Sequence, residues 1–287
     1  MFATTSRLFT GFLGALLAKK TGARLYLDIR DIFSDTLKNV SKNPAIRFLL
    51  PLIVQIEKFT VNSACSINLV SRGFHNYFKK IKPDQNFSFY SNGIDDEFLD
   101  FDFQKKVKTD KKIILYAGNI GEGQGLEKIL PISAKLLEDT CEFWVIGDGG
   151  RKNKLVEAIQ KEKLQNIKLI EPVNRKELIA FYAKSDYLFL HLNNYKAFEK
   201  VLPSKLFEFA ATGKTILAGV NGFAKEFIEQ NVDNAWVFEP CNVQDFIEKY
   251  AQSTSKDVRR KDFIQKYRRT KITAEMVKSF LNCSHQL

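Results

Sequence analysis

Ile113–Leu126 reads IILYAGNIGEGQGL, and it points to the fold. Its first five residues form a continuous apolar run, the pattern of a strand buried on both faces. Four glycines then fall within eight residues, from Gly118 to Gly125. Beyond them, Leu126–Leu137 carries a helical pattern, in which Pro131 is expected to cause a bend or mark a late start. A glycine-rich turn between strand and helix lets the backbone approach a ligand, and the helix start offers free N–H groups to an anion. Gly121, Gly123 and Gly125 give G-x-G-x-G rather than G-x-G-x-x-G, and no G-K-[ST] follows. The turn suits a phosphate or diphosphate, although an ordinary α/β turn has the same composition.

The alternation continues on the carboxyl side. Strands are expected at Glu142–Ile146, Ile167–Ile170, Tyr187–Leu190, Thr215–Ala218 and Ala235–Phe238. Helices are expected at Lys152–Glu162, Arg175–Ala183, Ser204–Ala211 and Phe223–Glu229. Repeated β-α steps predict a parallel, Rossmann-like sheet. The amino side shows fewer strands: Arg24–Ile29, Ser66–Val70 and Asn86–Tyr90, the last closed by Ser91-Asn92-Gly93 as a positive-φ turn. A long helix is expected over Ile46–Asn62 and a short one around Phe74–Lys80. The lysine-rich stretch before the central strand reads as a linker. The expected organisation is therefore a partial Rossmann-like domain over 1–104, a linker over 105–112, a nucleotide-binding domain over 113–255, and a basic helix over 256–287 that packs back on the first domain.

The chain has 287 residues and a formal charge of +11. Its 45% hydrophobic and 27% charged residues exclude disordered and disulfide-scaffold classes. The basic excess favours anionic partners: lipid surfaces, nucleic acid or phosphorylated substrates. Lys256–Lys271 holds eight basic and two acidic residues, either a solvated helix face or a surface for anionic lipid. The four cysteines lack a C-x-x-C pair and are expected as reduced thiols. Two short apolar runs, Leu8–Ala18 and Ala45–Ile56, fall below membrane-span length and read as buried helix, with membrane contact as the alternative.

Leu202–Lys214 (LPSKLFEFAATGK) carries further chemistry. Pro203 suits a first helical turn. Ser204 and Lys205 stand where N–H groups are free, and Gly147-Asp148-Gly149-Gly150-Arg151 ends an earlier strand. Glu208 lies four residues after Ser204, on the same helix face. Its apolar neighbours Leu206, Phe207 and Phe209 imply partial burial, which requires donors such as two ribose hydroxyls. The alternative is a carboxylate held by the helix dipole.

Taken together, Tyr116–Leu126, Val145–Gly149, Pro203–Glu208 and Ala211–Val220 resemble family 4 glycosyltransferases. More narrowly, they resemble the bacterial branch that includes L-fucosamine transferases of surface-polysaccharide synthesis. Leu27–Phe33 (LDIRDIF), Val70–Phe74 and Ser91–Asp95 match the same branch in order. The resemblance implies a GT-B fold, α/β with two Rossmann-like domains facing across a cleft, the first incomplete here. About 80 to 100 residues of the family's first domain are expected to be absent, so the chain reads as amino-terminally truncated. The resemblance further implies a retaining hexosyl or N-acetylaminosugar transferase that uses a nucleotide-sugar, a UDP-sugar, with no cofactor and no metal. The implied acceptor is a lipid-linked or polysaccharide-precursor glycan, and the implied location is the cytoplasm or the inner face of the cell membrane. Donor contacts are implied at Gly121, Glu122, Gly123, Gln124, Gly149, Arg151, Ser204, Lys205, Leu206 and Glu208, and catalytic roles at Asp31 and Arg30.

The chain departs from the wider family at several points. Lys200 stands where the first glutamate of E-x7-E belongs. Asn119 and Gln124 replace a phosphate-binding Arg and Lys, so Arg151 or Lys205 is expected to supply that charge. Arg30 stands where a histidine is common. An inactive fragment that binds nucleotide or a partner chain is the alternative reading. A sugar-nucleotide epimerase and a nucleic-acid binder are disfavoured by the motif set.

Overall fold

The computed structural model describes residues 1–5, 7–41, 43–103 and 110–285. They form two units, one comprising Met1–Gly93, Tyr195–Leu202 and Tyr267–Leu287, the other Ile94–Asn194 and Pro203–Lys266.

In the first unit the chain runs β1 (Phe2–Thr4), α1 (Leu8–Thr21), β2 (Tyr26–Ile29), α2 (Phe33–Val40), α3 (Pro44–Ser63), β3 (Ser66–Leu69), α4 (His75–Ile81) and β4 (Phe87–Ser88). The strands form a parallel sheet in the order β1-β2-β3-β4. Strand β1 escaped the sequence reading because three residues carry no periodicity. Leu25, Leu27, Ile67 and Leu69 build the core with Phe74 and Phe78. The Ser91–Gly93 turn has no positive φ. Its glycine is needed for space, since a Cβ at Gly93 would lie 2.7 Å from the Arg269 Cα.

The two apolar runs correct an expectation. Phe9, Leu13, Leu16 and Leu17 of α1 are exposed, as are Phe48, Leu49 and Leu52 of α3. Only the small or amino-terminal residues Leu8, Gly11, Gly14, Ala15 and Ala18 of α1 are buried. The geometric cause is close approach: a Cβ on Gly14 would come within 2.6 Å of the Ala3 Cβ, so this face admits small residues only.

The second unit comprises β5 (Lys112–Ala117), α5 (Leu126–Leu136), β6 (Cys141–Ile146), α6 (Lys152–Lys161), β7 (Ile167–Ile170), α7 (Arg175–Lys184), β8 (Tyr187–His191), α8 (Lys205–Thr212), β9 (Thr215–Gly219), α9 (Gly222–Asn231), β10 (Ala235–Phe238), α10 (Val243–Gln252) and α11 (Lys261–Tyr267). Its six strands are parallel, in the order β10-β9-β8-β5-β6-β7. Helix α5 starts at Leu126 and keeps Pro131 buried within it. The core is aromatic: Phe189 packs on Phe238 and Phe246, with ring centroids 5.8 and 5.6 Å apart.

The unit boundaries differ from those expected. Residues 94–103 belong to the second unit because Ile94, Phe98 and Phe103 are buried there, with Phe98 stacked on Tyr182 at 6.0 Å. The linker expected over 105–112 lies largely outside the described residues, and Lys112 already opens β5. The tail holds two helices. Helix α12 (Arg269–His285) places Phe280 against Tyr26 of the first unit at 5.8 Å. Before α11, the segment Thr254–Arg260 is strapped to the second unit by the buried Arg260 guanidinium. That group donates to the carbonyls of Asp233, Ala210 and Lys214 at 2.8, 3.1 and 2.9 Å. Cys141 and Cys241 are free thiols, whereas Cys65 is disulfide-bonded, against the expectation of four reduced cysteines.

Candidate functional site

Strand order locates the site. From β5 the chain builds outward to β6 and β7, then returns to add β8, β9 and β10 on the other side. The order reverses between β5 and β8, and open α/β sheets bind ligands beyond the carboxyl ends of the strands at such a point. The glycine loop 118–125 leaves β5 there, and His191–Asn194 leaves β8 beside it.

These two segments are joined through buried polar side chains. Asn193, 2% exposed, donates from its N–H to the Gly123 carbonyl and from Nδ2 to the Glu122 carbonyl, both at 2.8 Å. Its Oδ1 accepts from Lys128 Nζ at 2.9 Å. His191, 1% exposed, has Nδ1 2.6 Å from the Gln124 carbonyl, and its Nε2 accepts from the Cys241 N–H at 2.9 Å. An Nε2 that accepts must be unprotonated, so the proton sits on Nδ1 and is donated to Gln124. The ring lies against both Phe189 and Phe238, at 5.8 and 6.0 Å. Burial lowers its pKa to about 4, leaving the ring neutral.

The expected donor residues divide into three groups. Within the glycine loop, Gln124 Oε1 accepts from Asn119 Nδ2 at 2.9 Å and from the Gly121 N–H at 3.2 Å, and so braces the loop internally. Arg151, expected on a phosphate, is ion-paired with Glu122. Gly147, with φ +144°, passes so close to Gly118 that a Cβ would overlap the Gly118 carbonyl oxygen; Gly149 crosses Ile120 in the same way.

At the start of α8, Lys205 and Glu208 come together. Lys205 Nζ lies 2.9 Å from Glu208 Oε2. Tyr182 donates to that oxygen at 3.3 Å, and Arg175 Nη1 lies 3.7 Å from Oε1. Glu208 is only 12% exposed at its side chain. The donors anticipated for this carboxylate therefore include protein groups. Burial raises the Tyr182 phenol well above its ordinary value, with the Glu208 charge adding to the effect, so it stays protonated and donating. Ser204 precedes the helix without a side-chain cap bond. Leu206 is fully buried and its N–H donates to the Pro203 carbonyl at 3.2 Å, so its side chain offers no surface to a ligand.

Lys205 also lines a cavity of about 330 Å³ beyond the ends of β5 and β6, together with Gly118, Asn119, Gly147, Asp148 and Val173. It is concave, partly apolar and entered by one cation, which suits a small anionic ligand with an apolar portion.

In the first unit, Arg30 follows β2. Its guanidinium is held by Asp28 Oδ2 at 3.0 Å and by Asn92 Oδ1. Asp28 is 2% exposed and accepts a second bond from Asn68 at 2.7 Å. Asp31 is exposed overall but lines an apolar recess with Leu8, Ile29 and Phe33. Desolvation there raises its carboxyl to about 6, against the pull of the Arg30 charge. Lys200 is ion-paired with Asp35 at 2.5 Å.

The sequence reading missed Arg175, Tyr182, His191 and Asn193. Arg175 and Tyr182 lie on α7, which displays no motif. His191 carried a usable signal, since it is one of three histidines and directly follows an expected strand. Among the described residues no group of three His, Cys, Asp or Glu is placed to hold a metal ion. Among them, too, no helix is long and apolar enough to cross a membrane.

Residues 98–270 match the family described as Glycosyl transferases group 1. A curated relative, the putative colanic acid biosynthesis glycosyl transferase WcaI of Escherichia coli (strain K12), is 29% identical over 211 residues. That match covers 69% of this chain and 51% of the relative, so the chain spans about half the relative's length. Among solved structures, sucrose-phosphate synthase from Thermosynechococcus elongatus superposes with a TM-score of 0.76 at 11% identity, covering 98% of this chain and 73% of that one. Anabaena HepE, crystallised with UDP and glucose, gives 0.70 at 14%, covering 97% and 77%. At such identities these structures share the fold, α/β with two parallel-sheet, Rossmann-like units of the GT-B kind. The family match takes in more than half of the 287 residues, and the chain belongs to the group 1 glycosyl transferases.

Proposed function

We propose that the second unit binds a nucleotide-sugar, a UDP-sugar, and that the chain serves the retaining transfer of a hexosyl or N-acetylaminosugar to a lipid-linked or polysaccharide-precursor acceptor. The observation that carries this reading is the Glu208 carboxylate, half-buried beside Lys205 and Arg175 in the first turn of α8. In this reading Glu208 exchanges Lys205 for the ribose hydroxyls, and Lys205 turns to the diphosphate. The N-termini of α5 and α8 add positive potential where the leaving diphosphate gathers charge. HepE, which shares the fold, was crystallised with UDP, and this supports the choice of nucleotide. Arg30, fixed by Asp28 and Asn92, is the proposed cation of the acceptor-side unit, and Asp31 beside it the proposed carboxyl that handles the acceptor proton. No metal is assigned a role.

Lys200 favours a second reading, a chain that binds nucleotide without transfer. It occupies the place of the family's first glutamate and is committed to Asp35. Thermal melting with UDP, with GDP and without ligand tests donor binding. UDP at a hundred times its Kd should add about 2.7 kcal/mol, a rise of about 5–10 °C for a protein of this size. Glu208→Gln should abolish most of that rise. An unchanged UDP shift in this variant would remove the ribose assignment. UDP binding without product from any UDP-sugar and lipid-linked acceptor would favour the second reading.

A further inference from the structure

Tyr182 of α7 is fully buried, yet it is a tyrosine and not a phenylalanine. Its ring is fixed from two sides: Phe98 stacks on it at 6.0 Å and Phe209 meets it edge-on at 5.5 Å. Both of these rings are buried as well. A phenylalanine would fill the same space without a hydroxyl to desolvate, so the hydroxyl is retained at a cost unless it is bonded. Its acceptor is Glu208 Oε2, at 3.3 Å. The phenol thus reaches the carboxylate from the core side, where a ligand cannot touch it.

The other partners of Glu208 differ in how firmly they are held. Lys205 Nζ shares Oε2 at 2.9 Å, but its side chain is 30% exposed and also lines the cavity beyond β5 and β6. Arg175 Nη1 faces Oε1 at 3.7 Å, longer than a hydrogen bond. Arg175 is itself tied down: Nε donates to Glu97 at 2.8 Å, Nη2 donates to Asp95, and the guanidinium carbon lies 4.7 Å from the centre of the Phe98 ring. Lys205 is therefore the contact that a ligand can replace, and Tyr182 is the hydrogen bond that stays. This matters because the terminal torsion of a glutamate is broad, so packing of the stem does not orient its carboxylate. Two vicinal hydroxyls can be met together only if the plane of the two oxygens is fixed. A donor held rigidly behind Oε2 fixes it and leaves the remaining lone pairs for the ligand.

We propose that Tyr182 is a positioning residue for ribose recognition: it holds the Glu208 carboxylate in the orientation that accepts two vicinal hydroxyls, and so sets the preference for a ribonucleotide over one lacking them. This rests on the reading of Glu208 as the ribose ligand. The test is calorimetric titration of the full chain with UDP and with 2′,3′-dideoxyuridine 5′-diphosphate, for the wild type and for Tyr182→Phe. The substitution keeps the ring and its contacts with Phe98 and Phe209 and removes only the donor. The wild type should bind UDP about tenfold or more tighter than the dideoxy compound. Tyr182→Phe should weaken UDP by about threefold to tenfold and leave the dideoxy compound within about twofold. In a Glu208→Gln background, adding Tyr182→Phe should cost less than about a further twofold, because the phenol acts through that carboxylate. A merely structural hydroxyl would weaken both compounds by the same factor, and that result overturns the proposal. So does a preference for UDP that Tyr182→Phe leaves unchanged, and so do losses that add in the double variant; each of these leaves the Glu208 assignment standing. A wild type that binds both compounds equally, or neither, removes the ribose reading of Glu208 and the proposal with it.

Discussion

His191 should make the second unit acid-sensitive well above the range of ordinary carboxylate denaturation. Its folded pKa is lowered from 6.5 to about 4 by burial against Phe189 and Phe238. A histidine with a depressed folded pKa contributes stability that is fully present above 6.5 and is lost as pH falls toward 4. Near pH 5 the unfolded imidazole is almost fully protonated and the folded one about a tenth protonated. Integrating that difference from about pH 7.5 to about pH 5 gives a loss of about 2 kcal/mol. The perturbation is His191→Gln, which removes the titration. Both tryptophans, Trp144 and Trp236, lie in the second unit's sheet, so their fluorescence in urea reports on that unit alone. The variant will be less stable at both pH values, having lost the bond between Nδ1 and the Gln124 carbonyl. What matters is the slope: the wild type should lose about 2 kcal/mol more than the variant on acidification. Parallel pH profiles would refute the buried neutral imidazole. So would a wild-type histidine spectrum in which all three imidazoles titrate near the usual value.

Other perturbations test the remaining parts. Gly147→Ala forces a Cβ onto the Gly118 carbonyl at a φ of +144° and should cost at least about 2 kcal/mol, seen as a lower Tm together with a lost UDP shift. Arg260→Met leaves the carbonyls of Ala210, Asp233 and Lys214 without their donor; a loss of about 3 kcal/mol, or about 6–12 °C in Tm, is expected, and a change under about 2 °C would show that the strap is dispensable. Glu57→Ala removes the carboxylate that accepts from both the Ser34 and Tyr77 hydroxyls, which are left only each other at 2.8 Å, and should cost about 2 kcal/mol while the tryptophan-monitored unfolding of the second unit stays in place.

Much of the second unit was legible because its signals are local. A buried parallel strand is a short apolar run, and a β-α turn that approaches another backbone needs glycine. Both can be read at Ile113–Gly125 and again at Glu142–Gly149. Helix α8 and its Glu208 were readable for the same reason, since Pro203 and the i, i+4 spacing are properties of adjacent residues. The first unit was less legible: β1, three residues long, carried no expectation, and of the strand expected over Asn86–Tyr90 only Phe87 and Ser88 pair; a strand that short is defined by its neighbour rather than by its own pattern.

The sequence alone determined the class of the fold and the places where the chain changes from strand to helix. These follow from steric and hydrophobic preferences acting over a few residues. Tertiary structure alone decided which residues meet. Strand order placed His191 and Asn193 beside a loop some 70 residues earlier, and packing of α7 brought Arg175 and Tyr182 to Glu208. It also decided which side of an apolar helix faces water. The composition of α1 reads as buried helix, but only a glycine-alanine face fits against Ala3, so the large residues were left outside. Burial is a property of the neighbours a residue finds across the chain, and no local pattern contains them.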